Sequence, residues 1–244
     1  MSTTDRRVRI VDAAIDLIAT RGLRALTHRA LDTALELPPG SASYYFRTKR
    51  ALVEAIADRI TTRSREDFLA AGLLDAIVHI DADGDTHLDP DTIAHAIAHA
   101  IARWLDHLLT ERRNHLVARH ALIVDLLGEP DPHDRLARGL FSVERARDLF
   151  LSMGSPDPDR TAADFVAVVE GAVFDRFAGL RAQTRPGTAE SVSQLTALLA
   201  AFLHGVAYLA RPNRAAEACT PDRAVRSHPA KGSHRPGSPQ PSTE

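Results

Sequence analysis

The sequence offers almost nothing for covalent cross-linking. Its 244 residues hold one cysteine, Cys219, which excludes an intramolecular disulfide and a cysteine-rich zinc site. Lysine is nearly absent, since only Lys49 and Lys231 among 30 basic residues are lysines; the arginine bias reflects a GC-rich genome rather than a function. Net charge is only −2, which argues against a generally basic, nonspecific nucleic-acid binder. No stretch approaches the roughly 18 apolar residues of a membrane span. Asp5, Arg6, Arg7, Asp12 and Asp16 break up the start of the chain, which cannot be a signal-peptide core. The expectation is a cytoplasmic protein with no membrane partner. No Ser/His/Asp constellation, glycine-rich phosphate loop or carboxylate pair stands out, so neither an enzyme nor a cofactor is expected.

What is present is helix. Hydrophobic residues make up 44% and charged residues 25%, ordinary for a globular protein with length for a real core. Apolar residues recur at helical spacing and no segment sustains strand alternation, which predicts an all-α fold. A first helix runs from about 4 to 21, with Ile10, Ala14, Leu17 and Ile18 on one face and Gly22 just past its end.

The stretch 27–49, THRALDTALELPPGSASYYFRTK, then organises the chain. Thr27 caps a second helix, and Leu37-Pro38-Pro39-Gly40 interrupts it, because proline lacks an amide donor and disfavours α geometry before it. Pro39 is placed as the first residue of a brief third helix carrying Ser41 to Tyr45, closed by Phe46 against a core. Two short helices on a tight connection form a helix-turn-helix, and the second is small enough for a DNA major groove. Thr27, His28, Arg29, Pro39, Gly40, Ser41, Ala42, Ser43, Tyr44, Tyr45 and Lys49 are the candidate DNA contacts. Hydroxyls and cations suit phosphates or base edges, and the Ala42 methyl suits a thymine methyl. Residues 1–50 hold nine Arg/Lys against five acids, so a +4 excess sits at one end of a chain of total −2.

Gly22-Leu23, Ala25-Leu26-Thr27, Gly40-Ser41, Tyr44-Tyr45-Phe46, Lys49 and Ala51-Leu52 together resemble the N-terminal module of TetR/AcrR-family transcriptional regulators. The resemblance runs from about residue 6 to 59. It departs at Glu36, where the family usually has a turn glycine, at Asp32, where alanine is usual, and at Ser43, which replaces a common tyrosine beside Tyr44. It implies a DNA-binding domain at 1–47, a ligand-binding and dimerisation domain at 48–210, and nine helices in all.

Periodicity places the later helices near 48–71, 91–110, 112–127, 133–153, 159–181 and 188–210. The fourth carries Leu52, Val53, Ile56, Ile60 and Phe68 as a lever between head and body. Between it and the next, Leu73 to Ile80 is apolar and Asp81 to Asp85 reads as a solvated loop rather than a calcium site. The last 34 residues contain six prolines and few large apolar side chains, so a disordered tail at 211–244 is expected.

The last two helices are apolar over wide arcs, and a second apolar face on a surface helix suggests a partner. Phe165, Val169, Val173, Leu195, Leu199, Phe202 and Val206 are the expected interface; the resemblance implies a two-fold homodimer there, presenting two heads to a roughly palindromic operator in double-stranded DNA. The resemblance further implies a pocket for a small-molecule effector, with Trp104, Leu108, Leu116, His120, Ile123, Phe150, Phe174 and Phe177 as lining. Twelve histidines invite a metal reading; His95 and His99 lie four apart, but on a face read as solvated beside Arg103 and Asp106, and no metal site is assigned. The resulting expectation is a ligand-responsive repressor. The alternative is a helical small-molecule or metal-binding protein that has lost DNA binding, suggested by Asp32 and Glu36 beside the DNA face.

Overall fold

In this computed structural model, residues 3–72 and 89–210 are described. The expectations for Leu73 to Ile80, for Asp81 to Asp85, for Cys219 and for the tail 211–244 lie outside the described residues. Helices start where the sequence supplies an oxygen or a proline to the free amides of a first turn. Thr27, Thr48, Ser142 and Asp157 each accept an amide three residues on. Pro90 and Pro130 open two other first turns, and Pro158 follows Asp157 in the last of those four.

Ten α-helices follow among the described residues, with no strand: α1 (Thr3–Arg21), α2 (His28–Ala34), α3 (Ser41–Tyr45), α4 (Lys49–Ala70), α5 (Pro90–Glu111), α6 (Arg113–Asp125), α7 (Pro130–Ala137), α8 (Val143–Ser152), α9 (Pro158–Ala178) and α10 (Ala189–Ala210). A 3-10 turn, Leu23–Ala25, joins α1 to α2.

The helix expected at 133–153 is two helices. Gly139 lies so close to α4 that an added Cβ would stand 3.1 Å from the Arg135 carbonyl and 3.2 Å from the Thr61 hydroxyl. Leu140 and Phe141 turn inward and are buried, and Ser142 caps the restart at α8. The apolar spacing continues on both sides of this break, which hides it from periodicity.

Two apolar clusters form. The first joins Ile10, Ala14, Ile15 and Ile18 of α1 to Leu31, Phe46, and Leu52, Ile56 and Ile60 of α4, and takes in Ala118 and Leu122 of α6 and Leu136 of α7. Polar ties follow the same seam: Asn114 donates to Asp16 at 2.8 Å, and Arg59 chelates Asp12 at 2.8 and 3.0 Å. The second cluster is built from α5, α8, α9 and α10 around Trp104, Phe141, Phe150 and Phe165.

Helix α10 corrects one expectation, being long and apolar enough to cross a membrane by length and composition. One of its faces, with Leu195, Leu199 and Leu203, is buried in the second cluster with α5. Its entry is fixed by polar groups. Asp106, expected on a solvated face, is buried and accepts the Gly187 amide through both oxygens at 3.2 and 3.0 Å. Arg176 donates to the Ser191 hydroxyl at 2.9 Å and carbonyl at 3.2 Å. His99 Nδ1 lies 3.4 Å from the Thr196 hydroxyl of α10.

Candidate nucleic-acid interface

Helix α3 has five residues, too few to stand on local hydrogen bonds alone. It is held from α2. The Asp32 carboxylate is 5% exposed; Oδ2 accepts the Gly40 amide at 2.8 Å and Oδ1 the Ala42 amide at 2.7 Å. An aspartate ten residues upstream therefore satisfies first-turn amides that α3 cannot satisfy itself. The reading of Asp32 as an acid beside the DNA is corrected, because its charge points into the head. Glu36 is the one non-glycine residue with positive φ among the described residues, at 53°. It occupies the left-handed turn position where the resemblance expects glycine, at a cost of about 1–2 kcal/mol.

The candidate contacts divide. Thr27, Arg29, Pro39, Gly40, Tyr44 and Lys49 are exposed, whereas His28, Ser41, Ser43 and Tyr45 are half-buried. Ala42 has no exposed surface and packs in the first cluster, so its proposed contact with a thymine methyl is corrected. Ser41 donates to the Pro38 carbonyl at 2.6 Å and Ser43 to the Gly40 carbonyl at 2.8 Å, which commits both hydroxyl protons locally. The Thr27 oxygen accepts the Ala30 amide, leaving its proton for a phosphate. Tyr44, 76% exposed, stands edge-on to Tyr45 with ring centroids 5.3 Å apart. Arg7, which no sequence signal marked, donates to the Tyr45 carbonyl at 2.8 Å and lies 4.4 Å over the Phe46 ring, closing the far end of α3.

The eight expected pocket residues are not brought together. Trp104, Leu108, Leu116 and Phe150 are buried in the second cluster, whereas Ile123 packs on the first. His120, Phe174 and Phe177 form a ring group with centroids 5.0–5.9 Å apart, and Phe177 also packs on the second cluster. Most of the expected interface residues face inward, and Phe202 is half-buried. Phe165, Val169, Val173, Leu195 and Leu199 are sealed within the subunit, and Val206 and Phe202 pack on the same cluster. Exposed positions include Ala163, Ala167, Gly171 and Phe174 on α9, and Ala197, Leu198, Ala201, Gly205, Tyr208 and Leu209 on α10.

A buried arginine joins three helices. Arg119 is 1% exposed; it donates to the Leu136 and Ala137 carbonyls at 2.7 and 3.0 Å and to both Glu170 oxygens at 2.6 and 2.7 Å. Burial pushes the Glu170 carboxyl up, but hydrogen bonds from His120 and Arg119, with the arginine's charge, outweigh it and hold the group below its ordinary value. Its spacing from Leu116 and Leu122 puts Arg119 on the buried stripe of α6, a signal the sequence did carry.

A short braced helix offering tyrosine, with basic side chains on the helices before and after it and a helical body behind, marks a helix-turn-helix DNA-binding protein. The profile described as bacterial regulatory proteins of the tetR family matches residues 10–56, and the profile for the tetracyclin repressor-like C-terminal domain matches residues 88–205. The chain belongs to the TetR family, whose members are transcriptional regulators and not enzymes. No protein of curated function matches it. Among solved structures, it is similar to a TetR-family member from Streptomyces coelicolor A3 at 24% identity, over 80% of this chain and 98% of that one, with a TM-score of 0.57. A transcriptional regulator from Rhodococcus sp. Rha1 matches at 18% identity over 82% and 95%, TM-score 0.56. The multidrug binding protein EbrR in complex with ethidium matches at 24% identity over 81% and 99%, TM-score 0.53. These similarities are of fold.

Proposed function

We propose that this regulator is a cytoplasmic repressor that binds an approximately palindromic operator as a homodimer and is released by a small molecule. Residues 1–47 carry DNA binding and 48–210 carry ligand binding and dimerisation. The observation that carries the reading is the α3 face: a recognition helix fixed by Asp32 and Arg7 that leaves Tyr44, with Arg29 and Lys49 nearby, turned to solvent. Arg29 and Lys49 supply charge to phosphates, whereas Ser41 and Ser43 accept rather than donate.

The dimer reading rests on glycine. Gly171 and Gly205 lie inside α9 and α10, and among the described residues nothing stands within 4 Å of the point where each Cβ would be. A glycine inside a helix costs about 1 kcal/mol against alanine, and none of the described residues requires it here. Close approach by the same helices of a second copy supplies the reason.

Binding of the full chain to DNA flanking its own gene, at two salt concentrations with random competitor, tests the reading. A competitor-resistant complex with dimer stoichiometry supports it. Absence of any complex at low salt favours a ligand carrier instead, an alternative that now has only Glu36, not Asp32, on the DNA side.

A further inference from the structure

The structure assigns the effector a charge. We propose that the cleft between α4 and the α7–α8 junction takes a small organic anion, a carboxylate on an apolar body; this rests on the ligand-responsive reading above. The cleft has a volume of about 200 Å³, and Arg65, Arg138 and Arg145 are among its lining residues, with no acid among the described ones. That is below the size of a drug-sized pocket, so the ligand is small.

Arg145 is the residue that asks for an anion. Its guanidinium lies 4.7 Å over the Phe68 ring, and Nη1 is sealed from solvent with no hydrogen-bond partner. A buried charged donor left unpaired is unfavourable, and a carboxylate supplies both the acceptor and the counter-charge. Among the described residues no acid pairs with Arg145 or Arg65, and the one carboxylate near Arg138, Glu144, stands 4.0 Å off with both side chains mostly exposed. Phe68 and Leu140 give the cleft its apolar lining, beside Thr61, Ser64 and Ser142. Phe68 meets Trp104 and Phe141 edge-on at 5.4 and 6.1 Å, and Leu140 lies beside it. Three arginines beside one aromatic ring and Leu140 select an anion with an apolar body and disfavour a cation of the same shape.

The test is calorimetric titration of the full chain with phenylacetate and octanoate, against phenylacetamide, phenethylamine, ethidium and inorganic phosphate, with fluorescence of the single tryptophan, Trp104, as a second readout. The carboxylates are expected to bind and the amide, the cations and phosphate to fail. Arg145→Gln should weaken carboxylate binding about tenfold or more, and Arg65→Gln, at an exposed position that leaves the fold intact, should weaken it several-fold. Binding of either cation or of phosphate as tight as the carboxylates, no response to either carboxylate, or full affinity in both variants would overturn the assignment. Operator binding is measured in parallel. Operator binding without carboxylate binding sinks the anion site alone, and carboxylate binding without operator binding sinks the repressor reading alone.

Discussion

Replacing Asp32 with alanine isolates what holds the recognition helix. The carboxylate accepts two amides, and they are not equal. Gly40 is exposed, so water replaces its bond; Ala42 is buried, so its amide is left without a partner. Loss of a capping acceptor costs about 1 kcal/mol, and stranding a buried amide that had bonded to a charge costs about 1–3 kcal/mol more. The gain in helix propensity at position 32 returns about 0.5 kcal/mol. The net is a loss of about 2–3 kcal/mol, concentrated in a helix of five residues. Urea denaturation should report it as a lower midpoint with unchanged slope. Amide exchange should show Ala42 losing protection before the core of α1 and α4 does. Operator affinity should fall by more than the global stability implies, because α3 frays while the body stays folded. Asp32→Asn, which keeps one acceptor, should show roughly half of each effect. Full operator affinity together with an undiminished protection of Ala42 in Asp32→Ala would refute the reasoning.

Glu36→Gly should raise stability by about 0.5–1 kcal/mol, the relief of the left-handed turn less the added freedom of the unfolded chain; a lowered melting temperature contradicts it. Ala201→Glu, on the outer face of α10, should convert a dimer to folded monomer in sedimentation analysis, whereas Leu199→Glu should unfold the subunit; a dimer that survives Ala201→Glu removes this face from the interface. Glu170→Gln should cost about 3 kcal/mol by leaving the Arg119 charge buried without its counter-ion, and Arg119→Met in the same background should recover part of it; strictly additive losses by denaturation deny the coupling. Burial, helped by Arg112 and Arg59, holds His115 below its ordinary value of 6.5. The unfolded chain therefore binds its proton first as pH falls, so this contribution is complete above 6.5 and is lost as pH drops through the lowered folded value. Glu170 adds a second loss below 4.5. His115→Gln should flatten the upper part of that decline, and equal slopes for both proteins exclude it.

The head was legible because its signals are local. Thr27 and Thr48 cap as their positions suggest, the spacing of Leu52, Val53, Ile56 and Ile60 names a buried stripe, and Phe46 does close α3. Glu36 was readable as a turn position, and the backbone there is left-handed. What failed needed knowledge of what each face meets. Helices α9 and α10 have two apolar faces; most of the residues expected at the interface fill the subunit core, and a mix of small residues with Phe174, Leu198, Tyr208 and Leu209 points out. Ala42 shares the five residues of α3 with Tyr44, yet the two face opposite ways. Asp32 and Asp106 looked solvated because a charged residue usually is, and each is instead buried on backbone amides that only the folded chain brings near.

The division of labour proposed at residue 47 is not a division of packing. The first cluster contains Ala118, Leu122 and Leu136, so a head that rotated while α6 and α7 stood still would uncover apolar surface at about 25 cal/mol per Å². Less costly is a movement in which α6 and α7 travel with the head. Such a movement slides past α9 at one charged point, the Arg119–Glu170 pair, whose arginine also holds the last carbonyls of α7. Helix α4 crosses the same seam lengthwise: Leu52 to Ile60 lie in the first cluster, and Phe68 packs on the second beside Arg145. A ligand seated on Phe68 therefore acts on the far end of the helix whose near end sits under α3. It needs only to prefer one setting of α4 over another to change the spacing of the two heads of a dimer.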